Sequence, residues 1–174
     1  MCVVVSNMSA DCEKKVENKA RIVLQQCLSA VLQVQPKTET EAAQFVEVGR
    51  GLVIYVCFLK GCTSDTVTKI AKTALHTRLS ENKEGKLVSI LELPGDVLIV
   101  PQATLGGTLK GKLMQYHRNI DKEEGKRLYQ EFVQLCSDLV KENNSICSVK
   151  GGTYGNRQVF RTDTNGPYTH MVEF

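Results

Sequence analysis

The sequence predicts an α+β fold in which antiparallel β-sheets form a barrel-like core and two main helices lie between the strands. Short β-branched and aromatic runs, separated by turns that contain glycine and proline, indicate about six strands. Two segments place apolar residues at helical spacing, one after residue 64 and one after residue 121. The chain has 174 residues, of which 42% are hydrophobic and 24% charged, a composition typical of a globular domain with its own core.

We expect residues 19–174 to form a single domain that follows a short polar tail, residues 1–18. No apolar stretch approaches the ~20 residues of a membrane span, and the apolar run near the start is too short for a signal peptide. The seven cysteines are odd in number, and no two of them have a Cys-x-x-Cys spacing. These features predict a cytoplasmic protein with reduced thiols and no membrane partner. A net charge of +3 permits an anionic partner without requiring one.

The first half of the chain contains one ambiguous segment and one clear helix. The apolar residues of segment 20–34 fit both a strand and a helical face, so periodicity leaves the two open. Residues 45–59 are β-branched and aromatic and contain two glycines, which predicts a strand, a tight turn or bulge, and a buried strand. Ser64 or Asp65 is then expected to cap a helix. The apolar face of that helix consists of Val67, Ile70, Ala71, Ala74 and Leu75.

The middle of the chain favours a hairpin. Residues 81–85 have the composition of a loop, and residues 87–93 and 97–101 that of two strands joined by a Pro-Gly-Asp turn at residues 94–96. The next segment, residues 106–121, is long and basic and contains glycines.

A second helix is expected to begin where Asp121 and Glu124 form an acidic variant of a capping box. Its apolar stripe consists of Leu128, Phe132, Leu135, Leu139 and Val140. Two short strands, residues 157–161 and 168–174, are expected around a turn at residues 165–167.

Few residues have a pattern typical of catalysis or metal binding. The sequence contains no Walker loop, no Gly-x-Gly-x-x-Gly motif and no Gly-x-Ser-x-Gly motif. His76, His117 and His170 have no ligand spacing to one another or to a cysteine, so we expect no metal site and no cofactor. Cys57 and Cys136 lie in apolar runs and are expected to be buried hydrophobic residues rather than nucleophiles.

Two segments differ from this background. Residues 101–107, Pro-Gln-Ala-Thr-Leu-Gly-Gly, end an apolar strand in polar residues and a double glycine, where a ligand could approach the main chain closely. Residues 164–169, Thr-Asn-Gly-Pro-Tyr-Thr, contain a proline that has no N–H and leaves local carbonyls unpaired. On composition alone, an ordinary turn is the favoured interpretation of each segment.

Taken together, the two segments resemble the D-aminoacyl-tRNA deacylase family. That family pairs a Ser-Gln-type motif at a strand end with a later Asn-x-Gly-Pro-x-Thr motif, and the order of strands and helices matches over about residues 20–174. The resemblance implies a long strand, not a helix, at residues 20–34. It also implies an enzyme that hydrolyses the ester between an amino acid and the 3′ end of tRNA, with D-aminoacyl-tRNA and glycyl-tRNA as substrates.

The family's chemistry is attributed to the RNA, whose terminal adenosine 2′-OH assists, while the protein positions the ester through its backbone. The resemblance therefore implies that Gln102, Ala103 and Thr104 form the catalytic segment without a side-chain nucleophile. It further implies that Gly166 and Pro167 reach into the pocket of a partner subunit, and hence a homodimer. The implied substrate-binding residues are Pro101, Leu105, Gly106, Asn165, Gly166, Pro167, Tyr168 and Thr169.

The basic segment suits contact with aminoacyl-tRNA, because aromatic residues between cations can stack on unpaired bases. A solvated loop that contributes only solubility is the alternative, and no DNA partner is expected. The residues expected to bind tRNA are Lys110, Lys112, Tyr116, His117, Arg118 and Lys122.

Three positions depart from the family pattern. Pro101 stands for the usual Ser, Ala103 for the usual Phe and Thr164 for the usual Asn. These forms are similar to an animal branch of the family, which implies a trans Gly166–Pro167 bond and a relaxed chirality that admits L-alanyl-tRNA(Thr). Two other functions stay open: a non-enzymatic tRNA-binding module of the same fold, and a thiol-dependent hydrolase that uses Cys57 or Cys62.

Overall fold

A computed structural model describes residues 17–143 and 146–174, so most of the expected polar tail lies outside the described residues. The described residues contain two helices, α1 Ser64–His76 and α2 Lys122–Asn143, and neither is long and apolar enough to cross a membrane. The strands are β1 Ala20–Cys27, β2 Ser29–Gln35, β3 Gln44–Val48, β4 Gly51–Phe58, β5 Ser80–Glu81, β6 Leu87–Val88, β7 Asp96–Pro101, β8 Thr108–Lys110, β9 Leu113–Gln115, β10 Val149–Gly151, β11 Phe160–Asp163 and β12 Thr169–Glu173.

Two sheets form the framework. The larger has the strand order β10-β7-β4-β1-β12 and the smaller the order β11-β2-β3. β1 is antiparallel to β4 and β12, whereas β7 is parallel to β4 and β10, so the larger sheet is mixed. The helices cover one face of the larger sheet and the smaller sheet covers the other. The α+β class with two main helices is confirmed, and the described strands stack in layers without closing a barrel.

The central strand β4 is apolar at almost every position of its sequence. Both of its faces are covered, so a strand there has no solvent side. Ile54 and Val56 belong to the core beneath the helices, and Val53 belongs to the core between the two sheets. This burial fixes the position of the residues that follow β4 and its neighbour β7.

Residues 20–34 are extended, but they form two strands rather than one. β1 ends at Cys27, and β2 begins at Ser29 in the other sheet, with the half-exposed Leu28 between them. Alternation along β1 places Ala20, Ile22 and Leu24 in the core beneath the helices.

The expected hairpin of residues 87–93 and 97–101 is wrong. The extended part of the first segment is β6, which pairs with β5, and residues 90–94 form turns. β7 instead runs parallel to β4, and a parallel neighbour needs a crossover connection, which α1 supplies. The strands expected around residues 165–167 exist as β11 and β12, but they pair with β2 and β1 rather than with each other.

The helix caps differ in how well the sequence predicts them. α1 is capped by Thr63, whose hydroxyl accepts from the backbone N–H three residues later at 3.5 Å, and not by Ser64 or Asp65. Its expected apolar face is buried. The Asp121 carboxylate accepts from the Glu124 N–H at 3.4 Å, as expected, while the Glu124 side chain pairs with an arginine one turn later.

Candidate active site

A cavity of about 650 Å³ opens where the two sheets separate, and this volume is in the range of small-molecule sites. Its walls come from β4, the end of β7, the residues after β7, and residues 154–158 ahead of β11. Four aromatic residues are among those that line it: Tyr55, Phe58, Tyr154 and Phe160. The Tyr55 and Phe160 rings contact each other edge to face, with centroids 5.8 Å apart, which holds this wall in place.

A 3₁₀ helix, Ala103–Gly106, follows β7, and we call residues 102–106 the ledge. The Gln102 N–H extends the pairing with β4 by donating to the Val56 carbonyl at 2.9 Å, and its own carbonyl then accepts from Leu105 at 3.2 Å. Gly106 is required for a close approach: a Cβ at this position would lie 1.8 Å from the Asn119 side-chain oxygen. The space beside this glycine is therefore filled by a side chain of the protein itself.

The hydrogen-bonding groups of the ledge are used unequally. The Ala103 carbonyl accepts from Asn119 Nδ2 and the Leu105 carbonyl from Arg21 Nη1, each at 2.9 Å. The N–H groups of Ala103 and Thr104 have no hydrogen-bond partner in the part of the chain that the structure describes, although both residues line the cavity. These two adjacent backbone donors are therefore available to a ligand that binds against this segment.

The described side chains around the cavity provide positive charge and aromatic surface, but no nucleophile that is paired with a histidine or a carboxylate. The described lining residues include Lys122 and Arg157 but no acidic residue and no histidine. Burial raises the pKa of the Cys57 thiol, although the Gly106 N–H and the charge of Arg21 act against this. The thiol is therefore protonated at neutral pH, and its sulfur is 3.7 Å from the Ala103 carbonyl.

Burial also raises the pKa of the other described thiols, which are Cys27, Cys62, Cys136 and Cys147. Burial raises the pKa of Cys62 to about 11 and that of Cys136 to about 12. Among the described residues, no group of three or more His, Cys, Asp or Glu side chains could hold a metal ion.

The structure brings together only part of the site expected from the sequence. Pro101, Gln102, Ala103, Thr104 and Lys122 line the cavity. Leu105 and Gly106 belong to the ledge but do not line the cavity wall. The expected residues at 165–169 lie elsewhere on the surface.

We call residues 164–169, between β11 and β12, the Gly-Pro loop. It is mostly exposed, with Tyr168 60% accessible, and its Gly166–Pro167 bond is trans, as predicted. The Gly166 carbonyl accepts from the Thr164 hydroxyl at 2.8 Å and from Gln25 Nε2 at 3.3 Å. The loop's carbonyl is thus directed toward its own chain.

The basic segment forms a hairpin of β8 and β9. Lys110 and Lys112 are exposed on either side of Gly111, whose φ of 61° gives the left-handed turn at the tip. Tyr116 and His117 are also exposed. The Arg118 guanidinium is engaged within the chain, since it donates to the Asn18 carbonyl at 3.3 Å and lies 3.5 Å from the Glu17 carboxylate.

Several residues of the site were missed by sequence reasoning. Tyr154 and Arg157 stand in a polar stretch without a motif, and Asn119 was treated as part of the basic segment. Gln25 gave a usable signal: it is a buried amide within an apolar strand, and its oxygen accepts from the Thr169 hydroxyl at 2.6 Å.

The fold is that of a class of hydrolases, the deacylases, which act on ester bonds. A statistical model of the D-Tyr-tRNA(Tyr) deacylase family matches residues 23–173, and the chain belongs to that family. The resemblance drawn from the two short motifs is confirmed.

Individual proteins agree with this assignment. The chain is 59% identical over 159 residues to D-aminoacyl-tRNA deacylase 2 of Danio rerio, covering 90% of this chain and 99% of that protein. It is 56% identical over 160 residues to the Homo sapiens protein of the same name, covering 90% and 95%. A solved structure of a probable eukaryotic D-amino acid tRNA deacylase matches with a TM-score of 0.76 and 27% identity, covering 90% of this chain and 100% of that chain.

Proposed function

We propose that the chain is a cytoplasmic proofreading deacylase that hydrolyses the ester of D-aminoacyl-tRNA and glycyl-tRNA. The names of its relatives support the D-aminoacyl substrate. The observation that carries the proposal is the pair of unpartnered N–H groups at Ala103 and Thr104 in a cavity whose described lining has no acidic residue and no histidine. Such donors suit the negative charge that develops on the ester oxygen during hydrolysis.

The reaction needs a proton acceptor that the lining side chains do not supply. Thr104 carries a hydroxyl, but no described histidine or carboxylate is paired with it, and the Cys57 thiol is protonated. The 2′-OH of the terminal adenosine lies next to the ester in the substrate itself and can assist the attack of water. The protein then contributes orientation and the two backbone donors.

The rest of the cavity suits the terminal nucleotide. Tyr154 and Phe160 offer aromatic surface on which an adenine can stack. Lys122 and Arg157 place positive charge at the same opening, without a described acidic residue among the lining to oppose it, which favours the phosphates of an RNA end.

The Gly-Pro loop acts in the cavity of a second copy, so the functional unit is a homodimer. In its own chain this loop is exposed and does not line the cavity. A two-fold dimer would let each chain supply one ledge and one loop to two equivalent sites.

We further propose relaxed chirality, with L-alanyl-tRNA(Thr) as a substrate. The Gly166 carbonyl is bonded to Thr164 and Gln25 of its own chain, and the cavity-lining residue 103 is a small alanine. Both features leave room for a small L side chain. Larger L residues are refused, because each added methylene in a filled pocket costs about 1–3 kcal/mol.

A substrate panel tests the proposal. D-, L- and glycyl esters on several tRNAs should be cleaved in the order D-aminoacyl and glycyl, then L-alanyl, with large L-aminoacyl esters resistant. If no ester is cleaved, the chain is a tRNA-binding module without turnover, and the proposal is wrong.

The chemistry is tested separately by replacing the terminal 2′-OH with hydrogen. Turnover should fall by about a hundredfold or more, since a positioned proton-transfer group contributes at least that much. Cys62→Ala should leave the rate within about twofold, because this thiol does not line the cavity. A folded Cys62→Ala or Cys57→Ala variant without activity, combined with normal turnover of the deoxy substrate, would show that a thiol acts instead.

A further inference from the structure

The most constrained part of the ledge is a single peptide unit. The Ala103 carbonyl and the Thr104 N–H belong to the same planar amide and point in opposite directions. A hydrogen bond that fixes the carbonyl on one side therefore fixes the direction of the N–H on the other. Asn119 Nδ2 makes that bond, at 2.9 Å.

Asn119 is itself held from several sides. Its backbone N–H donates to the Tyr116 carbonyl at 3.0 Å, and its residue forms a β-bridge with Leu59. Its side-chain oxygen fills the space beside Gly106, and the Cys57 sulfur lies 4.0 Å from that oxygen. The amide group therefore has little freedom to leave the Ala103 carbonyl.

We propose that Asn119 is a positioning residue for hydrolysis: by binding the Ala103 carbonyl, it aims the Thr104 N–H at the ester oxygen. This rests on the proposed function, in which that N–H stabilises the developing negative charge. A hydrogen bond to the carbonyl of an amide also polarises the amide and makes its N–H a better donor. The effect is greatest where the charge is greatest, in the transition state rather than in the bound substrate.

The test measures kcat and KM separately on D-aminoacyl-tRNA. Asn119→Ala should lower kcat by roughly tenfold and leave KM within about twofold, the pattern of an interaction made only in the transition state. Asn119→Asp has the same shape but turns a carboxylate toward the Ala103 carbonyl, so it should lose at least as much. The Asp variant also covers the case in which the alanine variant does not fold.

A matched control is available at Asn143. Its Nδ2 also donates to a backbone carbonyl, that of Leu139, at 2.9 Å, but it lies at the exposed end of α2 and away from the cavity. Asn143→Ala should leave both kcat and KM unchanged. If Asn119→Ala and Asn119→Asp behave like the control, or if they raise KM without lowering kcat, the inference is overturned.

A second variant pair uses the contact with Gly106. Gly106→Ala alone should lower kcat more than Asn119→Ala, because its Cβ would collide with the Asn119 oxygen. In the Asn119→Ala background the collision with the amide is removed and the Leu59 side chain, 3.0 Å from the Cβ position, is the contact that remains, so adding Gly106→Ala should lower kcat little further. Losses that multiply as if the two positions were independent would contradict the inference.

The two levels of failure are distinguishable. If the wild-type chain cleaves no ester of the panel, the proposed function fails. If the wild-type chain is active and the Asn119 variants keep its kcat, only the positioning role fails.

Discussion

The ledge and the Gly-Pro loop carry the two motifs of the site, and the structure holds them in different ways. Side chains from β1 and from the segment ahead of α2 bind two carbonyls of the ledge, and part of it lines a cavity. The Gly-Pro loop is exposed, and the hydrogen bonds of Gly166 draw its carbonyl toward its own chain. The ledge is therefore held beside the cavity by side chains of its own chain, whereas the Gly-Pro loop does not line the cavity of its own chain.

The largest effect is expected when two variant chains, each defective in one region only, are mixed. Pro167→Gly removes the rigid ring, and on its own it should admit larger L-aminoacyl esters by on the order of tenfold. An excess of a ledge-defective Gly106→Val chain should return the selectivity for D esters to that of the wild type. The reason is that each working ledge would then face an intact loop from the other chain.

The measurement is the ratio of L to D cleavage at increasing proportions of the ledge-defective chain. Gly106→Val alone should be inactive, which is the control. A ratio that does not change on mixing would mean that the loop acts within its own chain or not at all.

The comparison extends to charge. The hairpin beyond the ledge carries Lys110 and Lys112, whereas residues 164–169 contain no charged side chain. Replacing both lysines by alanine should weaken tRNA binding and flatten the slope of log affinity against log salt by about one to two units. Tyr168→Ala, in the uncharged loop, should leave the slope unaltered; an unchanged slope in the lysine variant would assign the hairpin to solubility.

A smaller effect is expected at Arg21, the second side chain that holds the ledge. Arg21→Lys keeps a positive charge but loses the fixed geometry of the guanidinium, which contacts both the Leu105 carbonyl and the Glu173 carboxylate. We expect kcat to fall by about threefold, the loss of one modest hydrogen bond. Glu173→Gln leaves the bond to the ledge in place, so equal losses in steady-state assays of the two variants would indicate a role in the fold alone.

The smallest effect on activity is expected at Asp96, which is remote from both regions. Burial tends to raise the pKa of this carboxyl, but hydrogen bonds from the N–H groups of Ser148 and Gly49 and from the Ser148 hydroxyl outweigh it, and the net pKa is lowered. A lowered pKa in the folded state means stabilisation that is present above the ordinary Asp pKa and is lost as the pH falls through the folded value.

Asp96→Asn should therefore lower the free energy of unfolding by about 1 kcal/mol at pH 7, a modest amount because solvent screens this partly exposed carboxylate, and flatten its dependence on pH below about 5. Denaturant unfolding at several pH values measures both. The variant should keep the wild-type kcat under conditions where it is folded. A change in kcat would show that stability and site geometry are not separable in this chain.

The sequence predicts those features that depend on local pattern. Residue pattern predicts strand β4 and the apolar face of α1, and capping chemistry predicts the Asp121 cap of α2. The pairing partners of the strands do not follow from local pattern. The Pro-Gly turn before residue 97 predicts a change of chain direction, but it does not predict which strand lies next to β7. In the same way, the turn at residues 165–167 does not indicate that β11 pairs with β2 and β12 with β1.

The candidate site was predictable to the extent that it is contained in continuous motifs. Residues 101–104 were found because they end a strand, and they do line the cavity. Asn119 and Arg21 act on the ledge from 16 and 84 residues away, and no local pattern indicates such contacts. Tyr154 and Arg157 line the cavity from the segment between β10 and β11, which carries no local motif.

The pairing of β1 with β12 has a consequence for how the protein is made. Arg21 and Glu173 are neighbours across this pair although 152 residues separate them along the chain. During synthesis β1 has no partner on one of its edges until β12 has left the ribosome. Both the Arg21 contact region and the anchor of the Gly-Pro loop at Gln25 lie on that edge, so a ribosome-bound nascent chain that still lacks β12 would have a core but no finished site.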